Sequence, residues 1–177
     1  FTQKESRITV EKIWNAWHPQ ISYDLHQMAV DSARMFIPPY INPVDPNIDP
    51  ILRREIDALG SQMAAQLAVQ GKDGVVTHAM YDLWTPARSY VDYHGGVRIL
   101  TEAAGARLAS PVTLGFSQLA DGIGYDAKQA SWNFPRPWRG GTWRLRHILD
   151  YEHAAVDALL DHAASNEIEH GVLSFRN

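Results

Sequence analysis

The chain has 177 residues, enough for one domain, and a chain of that size can bury roughly two-thirds of the surface it exposes when unfolded. Its 16 Lys and Arg stand against 20 Asp and Glu, a formal charge of −4. The arginines are scattered and often sit beside acids, as in Arg53-Arg54-Glu55, which excludes a basic nucleic-acid surface. Cysteine is absent, so there is no disulfide framework and no thiolate to act as ligand or nucleophile. No apolar run approaches the roughly 20 residues of a membrane span.

Residues 5 to 17 read as a helix with Ile8, Ile13, Trp14 and Trp17 on one apolar face, ended by Trp17-His18-Pro19. Ile21 to Leu25 alternates apolar and polar side chains and predicts a short strand, with His26 just past its end. Five prolines between Met35 and Pro50 exclude a regular element there, and Phe36, Ile37, Tyr40 and Ile48 give that loop apolar anchors. From Ile51 to Gln70 the spacing of Ile56, Leu59, Met63 and Leu67 predicts a helix, capped near Asp49 and ended at Gly71.

Val75 to Met80 reads as a strand. Tyr81 to Tyr93 is an irregular aromatic stretch. Val97 to Thr101 is a compact strand ending at Glu102, and residues 115 to 138 read as a long loop. Trp143 to Ala164 predicts a second long helix, with Leu145, Ile148, Leu149, Ala155, Val156, Leu159 and Leu160 on one stripe. Short strands alternating with long helices indicate an α/β fold, a partly covered mixed sheet with flanking helices. No repeat or composition break divides residues 1–177, which read as a single domain or half-domain.

Two short motifs carry chemistry. In Tyr23-Asp24-Leu25-His26-Gln27-Met28 a histidine ends a strand, the rim on which α/β folds place their sites. Neutral imidazole is an ordinary zinc ligand, and Asp24, two residues back, could supply a supporting carboxylate. Read alone, a histidine bonded within its own loop explains the motif better. In Ile99-Leu100-Thr101-Glu102-Ala103 an acid ends an apolar strand. Such a carboxylate can shuttle the proton of a metal-bound water. It can also form a salt bridge with Arg98, Arg107 or an arginine between 144 and 146.

Taken together, and 76 residues apart, His26 and Glu102 resemble the third metal ligand and the catalytic glutamate of the carboxypeptidase A-like zinc peptidases. The likeness is closer to bacterial members of that superfamily. It extends through His18-Pro19-Gln20, Phe36-Ile37-Pro38-Pro39-Tyr40, Asn47-Ile48-Asp49-Pro50 and the Asn133-Phe134-Pro135 to Trp138 segment, and covers nearly the whole chain. The resemblance implies the C-terminal portion of an α/β/α peptidase domain. It implies Zn²⁺ held in part by His26, Glu102 as general base, and hydrolysis of the C-terminal peptide bond of a peptide substrate. It also implies a tyrosine that contacts the substrate's terminal region. Tyr81 lies closest to that place, with Trp84, Tyr90 and Tyr93 as competitors.

The family's His-x-x-Glu pair is missing: none of the eight histidines has glutamate three residues later. His147-x-x-Asp150 and Glu167-x-x-His170 imitate it only in part and fall on the wrong side of the motif order. The family's carboxylate-gripping arginines also lie upstream of the third ligand. Phe1 is not a methionine and no signal peptide is visible, which suits a processed or truncated product. The expectation is therefore a fragment, inactive alone, completed by the absent N-terminal half or by another chain. Sheet edges left open in such a fragment make a homodimer possible. A secreted or periplasmic location is expected. The alternatives are a degenerate, non-catalytic binding domain and an amidase or deacylase of the same superfamily.

Overall fold

The computed structural model describes residues 2–81 and 88–165. A four-stranded mixed sheet has the order β1 (Ile21–Met28), β4 (Val97–Ala104), β2 (Met35–Phe36), β3 (Val75–Val76). β1 runs parallel to β4, β2 is antiparallel to β4, and β3 is parallel to β2. Two long helices, α3 (Pro50–Val69) and α4 (Leu145–Ser165), pack on each other and on β4. The protein is thus a mixed α/β fold with flanking helices, and one edge of its sheet, the outer side of β1, has no neighbouring strand among the described residues.

The N-terminal helix exists, but its predicted apolar face is not buried. It runs as α1 (Lys4–Ile8), a π-helical stretch (Thr9–Trp14) and α2 (Asn15–Trp17). Ile8, Ile13 and Trp17 remain exposed, whereas Val10 is buried. The wider i→i+5 turns break the 3.6-residue phase on which the prediction rested. Trp14 stacks on Tyr90 with ring centroids 5.3 Å apart.

α3 follows the sequence closely. Asp49 Oδ1 accepts from the Ile51 amide at 2.8 Å, Pro50 starts the helix without losing a needed donor, and Leu52, Ile56, Leu59, Met63 and Leu67 are buried. Gly60 allows the helix to touch the proline loop, since a Cβ there would lie 2.3 Å from the Pro38 carbonyl oxygen. Phe36, Ile37 and Tyr40 anchor that segment in the core, as expected, but it is not without regular structure: Met35–Phe36, ahead of its first proline, forms β2.

The predicted strand 75–80 is strand only at Val75–Val76. Its pairing continues irregularly through Ile37 N to Val76 O (3.0 Å), His78 N to Pro39 O (2.8 Å) and Ile41 N to Met80 O (2.9 Å), because the prolines opposite bring no amide donors. On α4 the buried face is rotated from the expected one. Tyr151, Glu152, Ala154, Ala155, Ala158 and Leu159 are buried, whereas Leu145, Leu149 and Leu160 are exposed.

A second, two-stranded sheet of β5 (Val112–Gly115) and β6 (Gly140–Trp143) brackets the segment read as a loop. It ends at Trp143, whose indole Nε1 donates to the Ala104 carbonyl at 2.8 Å and so secures the chain just after Glu102. Trp143 and Trp138 flank the fully buried Arg34 guanidinium at 4.9 and 4.3 Å, and burial lowers the pKa of Arg34 to about 10.

Candidate active site on two parallel strands

Both predicted strands run further than the sequence suggested. His26 and Glu102 each lie two residues inside the C-terminal ends of β1 and β4. The parallel register pairs them directly, His26 with Glu102, so they share one face of the sheet. His26 Nδ1 is 2.9 Å from Glu102 Oε2 and 3.1 Å from the Gln27 carbonyl oxygen. Both partners are acceptors, so Nδ1 carries a proton. Nε2 has no hydrogen-bond partner among the described residues and is the nitrogen left open. The imidazole side chain is 48% exposed and the carboxylate 12%. The hydrogen bond to Glu102 raises the pKa of His26, helped by the charges of Glu102 and Asp24 against a smaller opposing effect of burial.

Asp24 shares this face, but its carboxylate takes a different partner from the one expected. Oδ2 accepts from Arg98 Nη2 at 2.7 Å, so the carboxylate that orients His26 is that of Glu102. The salt-bridge reading of Glu102 with Arg98, Arg107 or residues 144–146 gives way to the contact with His26. At 2.9 Å the two side chains touch, with no space for a water between the bonded atoms.

Tyr81 is 38% exposed and directly follows Met80, whose carbonyl accepts from Ile41. No hydrogen bond or ring contact among the described residues joins it to His26 or Glu102. Of its competitors, Tyr90 stacks between Trp14 and His94 and donates to Asn15 Oδ1 at 2.6 Å, while Tyr93 donates to Asp45. Trp84, Glu167 and His170 lie outside the described residues.

Zinc in a catalytic site takes three protein ligands. His26 fits as one: it is strand-held, accessible and backed by a carboxylate. Among the described residues no group of three or more potential ligands converges, so the remainder of such a set is not provided by them.

The other face of the same two strands holds a cluster that sequence reading missed. Tyr23 Oη and Thr101 Oγ1 are 3.0 Å apart, and Thr101 Oγ1 donates to Glu152 Oε2 at 3.4 Å. Glu152 is buried, and burial is the main cause of its pKa rising to about 7. Hydrogen bonds from Thr101 and Tyr23 oppose the rise, and the nearby Glu102 charge adds to it. Burial likewise carries the Tyr23 phenol far above its ordinary range. The available signal was a glutamate between Tyr151 and Ala154-Ala155, an acid on a helix face of small and aromatic residues.

No family model, curated protein or solved structure matches the chain.

Proposed function

We propose that this chain is the C-terminal portion of a zinc-dependent carboxypeptidase domain of the α/β/α type, acting on the C-terminal bond of a peptide. The observation that supports the reading most is the direct pairing of a half-exposed imidazole with a largely buried carboxylate near the C-terminal ends of adjacent parallel strands. Two sequence motifs 76 residues apart meet within hydrogen-bond distance, on the sheet edge where α/β folds bind ligands. Zinc, when bound, would supply Lewis acidity and an acidified water. His26 is the ligand this chain offers, and Glu102 is the group that accepts and returns a proton. Glu102 Oε2 would leave its hydrogen bond with His26 to do so. Tyr81 is proposed to contact the substrate terminus.

The remaining ligands and the carboxylate-binding arginines are proposed to come from an N-terminal half or another chain, docked along the open side of β1. The lack of a three-residue ligand group among the described residues is what favours the second reading, a peptidase-like binding domain without catalysis. An amidase or deacylase would use the same pair on a related carboxyl-bearing substrate. The test is zinc content and release of the C-terminal amino acid from a blocked dipeptide, measured on the protein in its native, full-length form. Stoichiometric zinc with turnover supports the peptidase. Zinc without peptide turnover, but with cleavage of an acylated amino acid, supports the deacylase. Neither zinc nor turnover leaves the binding domain.

A further inference from the structure

Glu152 is a buried acid that the proposed chemistry does not use. It projects from α4 onto the back of β1 and β4, where its carboxyl accepts from Thr101 of β4 and is reached by Tyr23 of β1. Tyr23 and Thr101 are also bonded to each other across the strand pair. Side chains alternate along a strand, so Thr101 and Glu102 point to opposite faces, as do Tyr23 and His26. The cluster therefore lies directly behind the His26–Glu102 contact. β1 is an edge strand, held in the sheet by β4 alone among the described strands. The three-residue cluster is thus a side-chain tie between β1, β4 and α4.

We propose that Glu152 is a positioning residue: through Thr101 and Tyr23 its carboxyl clamps β1 onto β4 and so sets the spacing of His26 and Glu102 on the opposite face. The inference takes that pair as the site, and in this it rests on the peptidase reading, but it concerns their geometry and not their turnover. Burial disfavours the charged carboxyl in the closed arrangement, so β1 is held most firmly while Glu152 is neutral, even though the hydrogen bonds from Thr101 and Tyr23 by themselves favour the charged form. Opening that lets water reach Glu152 relieves the burial of its charge, so opening becomes easier as pH rises toward about 7, the value to which burial lifts this group. The ionisable groups acting on Glu152 are Tyr23 from β1 and Glu102 from β4, the latter bonded in turn to His26. The His26–Glu102 contact also weakens as His26 loses its proton, so the decisive quantity is the difference between wild type and Glu152→Gln.

The experiment is amide hydrogen exchange of the native protein, with the β1 amides referenced to those of α3, which share the intrinsic pH dependence of exchange. In wild type, relative protection of β1 should fall by on the order of tenfold or more between about pH 5 and about pH 7, and then level off. In Glu152→Gln, which keeps the size and hydrogen-bonding capacity of the side chain, most of that fall should disappear. Glu152→Leu, if folded, should show reduced β1 protection at every pH. Equal pH dependence in wild type and Glu152→Gln would overturn the proposal, as would a wild-type β1 whose relative protection does not change with pH. Because the readout is strand pairing, a protein that binds no zinc would sink the peptidase reading and leave this result intact.

Discussion

Arg98 donates through Nη2 to Asp24 Oδ2 at 2.7 Å, tying β4 to β1 on the same face as His26 and Glu102. Arg98 is nearly inaccessible, whereas its partner carboxylate is 38% exposed. The ion pair is therefore partly buried and costly to break from one side. Arg98→Met should lower stability by about 1–3 kcal/mol, since Asp24 loses a charge-assisted bond but can still reach water. Urea denaturation measures this. A change within about 0.5 kcal/mol would mean the pair contributes no more than an exposed one.

The two site residues should separate under substitution. His26→Ala should lower zinc content and turnover together. Glu102→Gln should retain zinc while reducing kcat by roughly 10²–10⁴, the range for loss of a general base. If both variants lose zinc equally, Glu102 serves to hold His26 in place, a role its 2.9 Å contact already makes concrete. Metal analysis alongside kinetics distinguishes the two.

Stability should fall as pH rises through the weakly acidic range. The folded-state pKa of Glu152 is about 7, above its ordinary 4.5, so between these values the folded protein binds a proton that the unfolded chain has released. Each pH unit in that window then favours unfolding, for a total of roughly 3 kcal/mol from this group. His26 acts in the same direction: its pKa is also raised, so its contribution is present at low pH and is lost as pH climbs through the folded-state value. Glu152→Gln should flatten most of the slope. Denaturation midpoints across the range, compared between the two proteins, provide the check.

Gly60→Ala should be destabilising by about 1–3 kcal/mol, because the added methyl meets the Pro38 backbone, which cannot rotate away as a side chain would. Helix propensity alone predicts the opposite sign, since alanine favours a helix interior over glycine. Thermal melting decides between them.

Self-association, if it uses the open side of β1, should be sensitive to Leu25, which is 52% exposed there. Leu25→Lys places a charge on the edge, the usual defence of an unpaired strand. Sedimentation should show any wild-type dimer shift to monomer, with monomer stability changed by less than about 0.5 kcal/mol.

How much of this was readable from residues alone differs by element. α3 was legible in full, because Asp49-Pro50 marks its start and large apolar side chains recur on one face. α4 was legible as a helix but not in orientation: its buried face is made of alanines, Tyr151 and Glu152, and periodicity weighted toward leucine points elsewhere. β5 and β6 were illegible, since a short Gly-rich strand pairs here across a long intervening segment and carries no clean alternation. His26 and Glu102 were legible as motifs. Their contact was not, because register between strands far apart in sequence is a tertiary property. The Tyr23–Thr101–Glu152 cluster was missed for the same reason: three unremarkable positions acquire meaning only once α4 crosses behind two strands.

The strand carrying His26 sits at the sheet's boundary, while Glu102 lies one strand inside it. Detaching β1 would remove the imidazole from the carboxylate and leave α3, α4 and the interior strands standing. Local melting could thus dismantle the pair at a fraction of the free energy of global unfolding, and heat or mild denaturant should abolish any chemistry there well before the helical signal collapses.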